Sequence, residues 1–306
     1  MKSPARLPSS FAAGSPGKSR IAVERSSFRR DRVVWRIFNG DDATPDATYR
    51  VVVEYDGTDF CGFQFQPNLR TIGGEIEIAL SKLFAMQIKV TVAGRTDAGV
   101  HASGQVISFV AHDAFPIEKL SIALNTTLPA DITARDCARV DARFSARLSA
   151  LQRRYRYTIV ARRDPSAALR RFAHHEYRPL DLERMRAGAA HLLGQHDFLT
   201  FCGVLPDRGG TVRTIDTLEI DSERDPSRDC DVLVLRIAGK GFLHRMVRIM
   251  TGTLLDVAAG KREPGDVATM LAARDRRVAG PTAPAAGLAL VEVVYPDFTS
   301  LSRRNG

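Results

Sequence analysis

The sequence predicts an α+β protein with two ferredoxin-like mixed domains, in which antiparallel sheets are flanked by helices. Short segments with period-two alternation of apolar residues are interspersed with segments of helical periodicity along the chain. In the first half the order is strand, helix, strand, strand, helix, strand, and the second half again mixes both element types. The predicted domains are residues 48–147 and 148–297, preceded by a basic extension, 1–47, that we expect to be disordered, and followed by a tail, 298–306.

The first half contains two predicted helices, each with a recognisable start. Thr71 can act as an N-cap, and an apolar stripe that begins at Ile72 and ends at Phe84 follows it. Pro116 begins the second helix, which ends near Pro129. Four strands are predicted around these helices, at residues 49–55, 88–92, 105–110 and 132–140.

The second half begins with a predicted strand at residues 153–160. Its alternation places Arg154 and Arg156 on one face and Tyr155 on the other. The remaining predicted elements are helices at 182–193 (stopped by Gly194), 242–258 and 266–273, strands at 211–220, 232–238 and 288–295, and a hairpin loop at 221–231.

The composition is typical of a globular protein, with 44% hydrophobic and 26% charged residues in a chain of 306. No apolar run reaches the length of about 18 residues that a membrane span requires. The four cysteines are far apart in the sequence, and the seven histidines lack metal-binding spacing. We therefore expect no metal, no disulfide framework and a reducing, cytoplasmic location.

The net charge of +9 is unevenly distributed. Residues 1–36 carry nine Lys or Arg residues against Glu24 and Asp31, which leaves only +2 for the rest of the chain. The first 23 residues contain no acid, a feature of organellar transit peptides and equally of basic tails that capture RNA. Eleven arginines and three aspartates lie between Arg135 and Arg171. This arginine block favours a polyanionic partner, because guanidinium groups suit phosphates.

One loop carries the residues best suited to chemistry. Residues 93–102, with the sequence AGRTDAGVHA, lie between two predicted strands and contain Arg95 and Asp97 between Gly94 and Gly99. An arginine near a carboxylate favours its ionised form, so Asp97 is a candidate nucleophile or electrostatic stabiliser. The alternative is an Asx turn with a surface ion pair, the commoner role of an Arg-x-Asp tripeptide.

Two further segments contain candidate site residues. Tyr155 lies in the basic strand segment RRYRY, and Phe242 and Arg248 lie in GKGFLHRMVRIMTG. Arg248 and the residues three and four before it fall on one face of the predicted helix, which directs Arg248 back towards the strand ends. Each residue also has an ordinary explanation, as a packed tyrosine, a core phenylalanine and a surface arginine.

The loop AGRTDAGVHA resembles the catalytic loop of the tRNA pseudouridine synthase A family. The order of other segments agrees, from EYDGTDFCGFQFQ through LPADI, ARFSA and RRYRY to GLAL and VVYPD. The resemblance covers residues 48–297 and implies the pseudouridine synthase fold. It also implies isomerisation of uridine to pseudouridine at positions 38, 39 and 40 of the tRNA anticodon stem-loop, by a homodimer that needs no metal and no organic cofactor.

The resemblance implies roles for three charged residues. Asp97 corresponds to the catalytic aspartate, and Arg248 corresponds to the basic residue that pairs with it. Arg95 corresponds to the arginine that enters the space left by the flipped nucleotide. The aspartate can attack either C1′ of the ribose or C6 of the ring, and the sequence does not choose between them.

The target base needs a pocket and the RNA needs a binding surface. By resemblance, Tyr155 lies against the base, and Phe242 and Leu288 are candidate walls of a closed pocket. The arginine block is expected to hold the RNA through phosphates and shape. The residues expected to contact the RNA backbone are Arg153, Arg154 and Arg156.

Some residues depart from the family pattern, and the sequence leaves two other functions open. Tyr and Trp are common where this chain has the run Phe60 to Phe63, and Val-Gln is common where it has Ile72-Gly73, so a glutamine contact is missing. One alternative is a catalytically inactive RNA-binding protein that uses the arginine block as a clamp. A carboxylate beside phosphates would weaken such a binder. The other, a carboxylate-dependent hydrolase, needs a second acid near Asp97.

Overall fold

The computed structural model describes residues 46–113, 115–207, 209–225 and 230–301. The extension that we expect to be disordered lies outside these residues, except for Asp46 and Ala47, which are the first two residues of a strand. Residues 226–229 of the predicted hairpin loop and 302–306 of the predicted tail also lie outside them.

The first half forms strands and helices in the predicted order. They are β1 (Asp46–Tyr55), α1 (Ile72–Phe84), β2 (Thr91–Val92), β3 (His101–His112), α2 (Ile117–Asn125) and β4 (Ile132–Val140). Thr71 caps α1 as predicted, because its side chain accepts a hydrogen bond from the amide of Gly74 at 3.2 Å. At Gly73, where the family's glutamine is absent, a Cβ atom would lie 2.6 Å from the carbonyl oxygen of Phe63. This backbone therefore requires glycine at that position.

The predicted strand at residues 88–92 is wrong in its first three residues. Side chains of α1 bind the amides that a neighbouring strand would otherwise bind. Ser81 accepts a hydrogen bond from Ile88 at 3.0 Å, and Glu77 accepts one from Val90 at 3.2 Å. Only the two residues of β2 remain free to pair with β3.

The second half contains the remaining described strands and helices. They are β5 (Gln152–Ala161), β6 (His174–Glu176), α3 (Leu182–Ala190), β7 (Gly194–Asp197), β8 (Val212–Asp225), β9 (Cys230–Gly239), α4 (Met246–Ala258), α5 (Asp266–Ala273) and β10 (Leu288–Val294). The predicted helix at 266–273 is confirmed, whereas β6 and β7 were not predicted.

Three predicted boundaries in this half are wrong. α3 ends at Ala190 because the next two amides bond to carbonyls three residues back, which tightens the last turn. β8 continues through the first part of the predicted hairpin loop because it pairs with β9 as far as Asp225. α4 begins four residues later than predicted because Arg245 adopts a left-handed conformation, with a φ of 57°.

The ten strands of the described ranges form one mixed sheet. Its order is β4-β1-β3-β10-β5-β9-β8-β7, with β2 beside β3 and β6 beside β5. β10 joins the two halves, since it pairs parallel with β3 and antiparallel with β5. The α+β class is therefore confirmed, and the sheets of the two predicted domains are continuous through β10. The division of the chain at residue 147 stays a prediction.

Helix α4 is buried along almost its whole length. All its residues except Arg248 are buried, so this arginine is the point at which the helix meets the site. The segment at Pro281 packs closely against the backbone of α4, because a Cβ atom on Gly252 would lie 1.9 Å from the Pro281 carbonyl oxygen. In the part of the chain that the structure describes, no helix is long and apolar enough to cross a membrane.

Candidate active site

Asp97 lies in a tight turn between β2 and β3. The amide of Val100 donates a hydrogen bond to the Asp97 carbonyl oxygen at 3.2 Å, which closes the turn. Gly99, the third residue of the turn, adopts a φ of +77°, a conformation that glycine reaches without steric cost. Space is also limited there, since a Cβ atom on Gly99 would lie 3.0 Å from the side chain of Ala285. The glycine therefore sets the direction in which the loop presents the carboxylate.

A buried polar network holds this loop from below. The hydroxyl groups of Tyr55 and Thr96 lie 2.8 Å apart, and Gln105 donates to the Tyr55 hydroxyl at 3.2 Å and to the Gly94 carbonyl at 2.7 Å. Burial raises the pKa of Tyr55 to about 12, so the phenol stays protonated near neutral pH. The residues on both sides of Arg95 are thus tied to β1 and β3.

Arg248 reaches Asp97 from the core helix α4. Its Nη1 atom donates to Asp97 Oδ2 at 3.0 Å, and its Nε atom donates to the Ala283 carbonyl oxygen at 2.8 Å. The second bond fixes the plane of the guanidinium group, so the first bond has a defined direction. The structure thus brings together two residues that are 151 positions apart in the sequence.

His244 is a neighbour of Asp97 to which sequence analysis assigned no role. Its Nε2 atom lies 3.8 Å from Asp97 Oδ1, the carboxylate oxygen that Arg248 does not bind. The sequence contained a signal for this proximity, because residues 244, 245 and 248 share one face of the predicted helix. The actual geometry differs, because residue 244 precedes the helix.

Tyr155 and Phe242 form an aromatic pair beside the loop. Their rings meet edge to face, with centroids 5.1 Å apart and planes at 86°. Gly94 of the loop lies beside the phenol, since a Cβ atom there would be at the ordinary contact distance of 3.5 Å from the Tyr155 hydroxyl. Burial is the largest cause that raises the pKa of Tyr155 well above its usual range. Leu288 is buried on β10, opposite Tyr157 of β5.

Arg95 is exposed in the same loop, and it does not form an ion pair with Asp97 among the described contacts. The surface ion pair between Arg95 and Asp97, which was the alternative interpretation of this tripeptide, is therefore absent from the described contacts. Arg248 takes that position, because the turn directs Arg95 outward and Asp97 towards α4. Arg95 is left available to a ligand that enters the site.

Arg153 is not available to bind an RNA backbone, so that prediction is wrong. The residue is only 7% exposed. Its guanidinium group donates to the carbonyl oxygens of Ala93, Ala150, Lys240 and Arg147 at 2.6–3.2 Å. Strand alternation places Arg153 on the same face as Tyr155. From there its guanidinium group connects the start of the loop at Ala93 to the segment before β5, at Arg147 and Ala150, and to Lys240 after β9.

Arg154 and Arg156 lie on a different surface from the site. Alternation along β5 directs them to the sheet face opposite Tyr155. Arg154 pairs with Glu292 at 2.9 Å, and Arg156 pairs with Glu223 at 2.8 Å. Their contact with RNA stays a prediction, and it concerns the other face of the sheet.

No cluster of three or more His, Cys, Asp or Glu side chains within the described ranges is arranged to hold a metal ion. The chemistry that the geometry supports is that of a single carboxylate with an arginine partner, beside an imidazole and two aromatic rings. A carboxylate so placed can act as a nucleophile towards a planar ring or a sugar carbon.

Comparison with known proteins agrees with this interpretation. The model of the tRNA pseudouridine synthase family matches residues 51–147 and 189–296, which include Asp97, His244 and Arg248. The tRNA pseudouridine synthase A of Halalkalibacterium halodurans is 46% identical over 237 residues, covering 77% of this chain and 88% of the relative. The enzymes of the same name from Bacillus pumilus and Bacillus subtilis are 43% and 42% identical over 248 residues, covering 80% of this chain and 98% of each relative.

The chain belongs to the tRNA pseudouridine synthase A family. This membership makes it an isomerase that acts on uridine in tRNA, in agreement with the resemblance of its catalytic loop.

Proposed function

We propose that this chain isomerises uridine to pseudouridine at positions 38, 39 and 40 of the tRNA anticodon stem-loop, with Asp97 as the nucleophile. The contact between Asp97 and Arg248 is the observation that carries the proposal. Because Arg248 binds Oδ2, the other oxygen, Oδ1, keeps its lone pairs for the substrate. A nucleophile held by a tight turn and a guanidinium group needs little reorganisation before it attacks.

The reaction breaks the N1–C1′ bond, rotates the uracil and joins C5 to C1′. Oδ1 can attack C1′ or C6, and in either case the nucleotide must leave the base stack. Extrusion of a base costs a few kcal/mol, which contacts with aromatic side chains offset. The rings of Tyr155 and Phe242 supply such contacts beside Asp97. They also shield the detached uracil from water during its rotation.

On the site's own face, the RNA contacts come from exposed cations in place of the buried Arg153. Arg147 and Lys240 are exposed, and their carbonyl oxygens bind the same buried guanidinium group of Arg153. The backbone of Arg147 and of Lys240 therefore lies close to the start of the catalytic loop. Arg95 of that loop is exposed as well. Three exposed cations near one loop suit the phosphates that flank a flipped nucleotide.

The proposal includes a homodimer in the cytoplasm, on the basis of the family resemblance. Its rival is a catalytically inactive protein that binds structured RNA. The position of Asp97 favours catalysis, since a carboxylate beside RNA phosphates lowers the affinity of a protein that only binds RNA.

The test is pseudouridine mapping on unmodified tRNA transcripts incubated with the wild-type protein. One set of transcripts carries uridine at 38, 39 or 40, and a matched set carries cytidine at all three positions. We expect pseudouridine at 38–40 in the first set and no product elsewhere in either set. Product outside the anticodon arm contradicts the assigned positions. Retention of the tRNA without conversion establishes the inactive binder instead.

A further inference from the structure

His244 occupies a position in the site that the proposed nucleophile and base contacts do not use. Its Nε2 atom faces Asp97 Oδ1 at 3.8 Å, beyond hydrogen-bond distance. The side chain is 38% exposed, so the ring borders the open part of the site. An imidazole is thus held beside the attacking oxygen without occupying its lone pairs.

The local backbone holds this histidine in place. The amide of Gly203 donates to the His244 carbonyl oxygen at 2.8 Å. A Cβ atom on Gly203 would lie 2.8 Å from His244 Nδ1, so the ring packs where only glycine leaves space. The next residue, Arg245, has a φ of 57°, a left-handed conformation that is strained for a residue other than glycine. Such strain is common where a side chain must be directed into a functional site.

The reaction needs a group that accepts a proton at a defined step. Once C5 has bonded to C1′, C5 still carries its hydrogen. A base must take that proton, so that the electron pair of the C5–H bond forms the C5–C6 double bond. The new double bond displaces an electron pair from C6. That pair moves to N1, which then takes a proton, or, if the carboxylate had added to C6, it leaves with Asp97. The net change is transfer of a proton from C5 to N1, with no oxidant or reductant.

The other groups around Asp97 are poor proton acceptors. A guanidinium group has hydrogen-bond donors and no acceptor, so Arg248 is not placed to take the proton. The pKa of Tyr155 is raised by burial, so its phenolate is not accessible near neutral pH. Asp97 already serves as the nucleophile in the proposed reaction. An imidazole ring offers an acceptor nitrogen, and Nε2 of His244 lies 3.8 Å from Asp97 Oδ1.

We propose that His244 Nε2 accepts the C5 proton of the rotated uracil and delivers it towards N1. This inference rests on the proposed function, because it assigns a step of the same reaction. The role differs from that of Arg248, which positions the nucleophile.

The test is a single-turnover assay on an anticodon stem-loop with uridine or 5-deuterouridine at the target position. We expect His244→Gln to lower the rate by about 10²- to 10⁴-fold. We also expect a primary deuterium isotope effect that exceeds that of the wild type, because proton removal becomes rate-limiting. Added imidazole should restore activity to His244→Ala, since the position is open to solvent. His191→Gln, which alters an exposed histidine after α3, is the matched control and should behave as wild type.

The outcomes separate the two proposals. If the wild type is active and His244→Gln retains its rate within about threefold, which is under 1 kcal/mol, the assignment of His244 is wrong. It is equally wrong if the rate falls with an unchanged isotope effect and without rescue by imidazole, since that pattern indicates a structural role. If the wild type forms no pseudouridine, the proposed function fails, and this inference fails with it.

Discussion

Arg248→Gln is expected to slow pseudouridine formation by about 10²- to 10³-fold, with little change in tRNA affinity. The guanidinium group makes two directed hydrogen bonds, to Asp97 Oδ2 and to the Ala283 carbonyl oxygen. Glutamine removes the charge and cannot reproduce both bonds. The carboxylate then loses the contact that fixes its orientation, while the RNA-binding cations are unchanged. Single-turnover kinetics and filter binding on the same transcript separate the two effects.

Two further variants sharpen this prediction. Arg248→Lys keeps the charge but lacks the fork geometry, so we expect an activity between those of the glutamine variant and the wild type. Arg277→Gln is the matched control, because Arg277 is exposed and pairs only locally with Asp275 among the described contacts. An Arg248→Gln variant with the wild-type rate would show that Arg248 does not support Asp97.

Arg153→Met is expected to destabilise the fold by about 3 kcal/mol, because it removes a charged donor from several buried carbonyl groups. The cost of burying the guanidinium group is relieved at the same time. The lost bonds outweigh that relief, since a hydrogen bond to a charged group contributes roughly 1.5–3 kcal/mol and Arg153 donates five. The expected decrease in Tm is roughly 6–12 °C by thermal unfolding.

The matched control is Arg163→Met, which alters an exposed arginine of the same arginine block. We expect it to change stability by no more than about 0.5 kcal/mol. If Arg153→Met unfolds at the wild-type temperature, the carbonyl groups of Ala93, Arg147 and Lys240 do not depend on the guanidinium group. Its role in shaping the catalytic loop would then be wrong.

Sequence patterns predicted the elements that local interactions determine. The α1 cap at Thr71 and the helix at 266–273 depend on residues close in the chain, and both are confirmed. The predicted strand at 88–92 was too long because Ser81 and Glu77 bind its amides. No periodicity within the segment reports such a contact with a helix that precedes it.

The candidate site shows the same difference between local patterns, which the sequence reports, and contacts between distant residues, which it does not. Motifs identified Asp97, Tyr155 and Arg248, and the pairing of the first and third agrees with the resemblance. Arg153 was misassigned because its basic character suggested RNA, although the alternation that directs Tyr155 inward directs Arg153 inward as well. His244 was assigned no role, because its position depends on a left-handed residue that delays the start of α4.

The most direct test of the account is pseudouridine formation at positions 38–40 of an unmodified tRNA transcript by the wild type and by Asp97→Asn. We expect the wild type to convert these positions and the variant to lose roughly 10⁴-fold or more in rate while it still binds the tRNA. Asp297→Asn, which alters an exposed carboxylate after β10, should match the wild type. Conversion by Asp97→Asn at a rate near that of the wild type would contradict the assignment of Asp97 as the nucleophile.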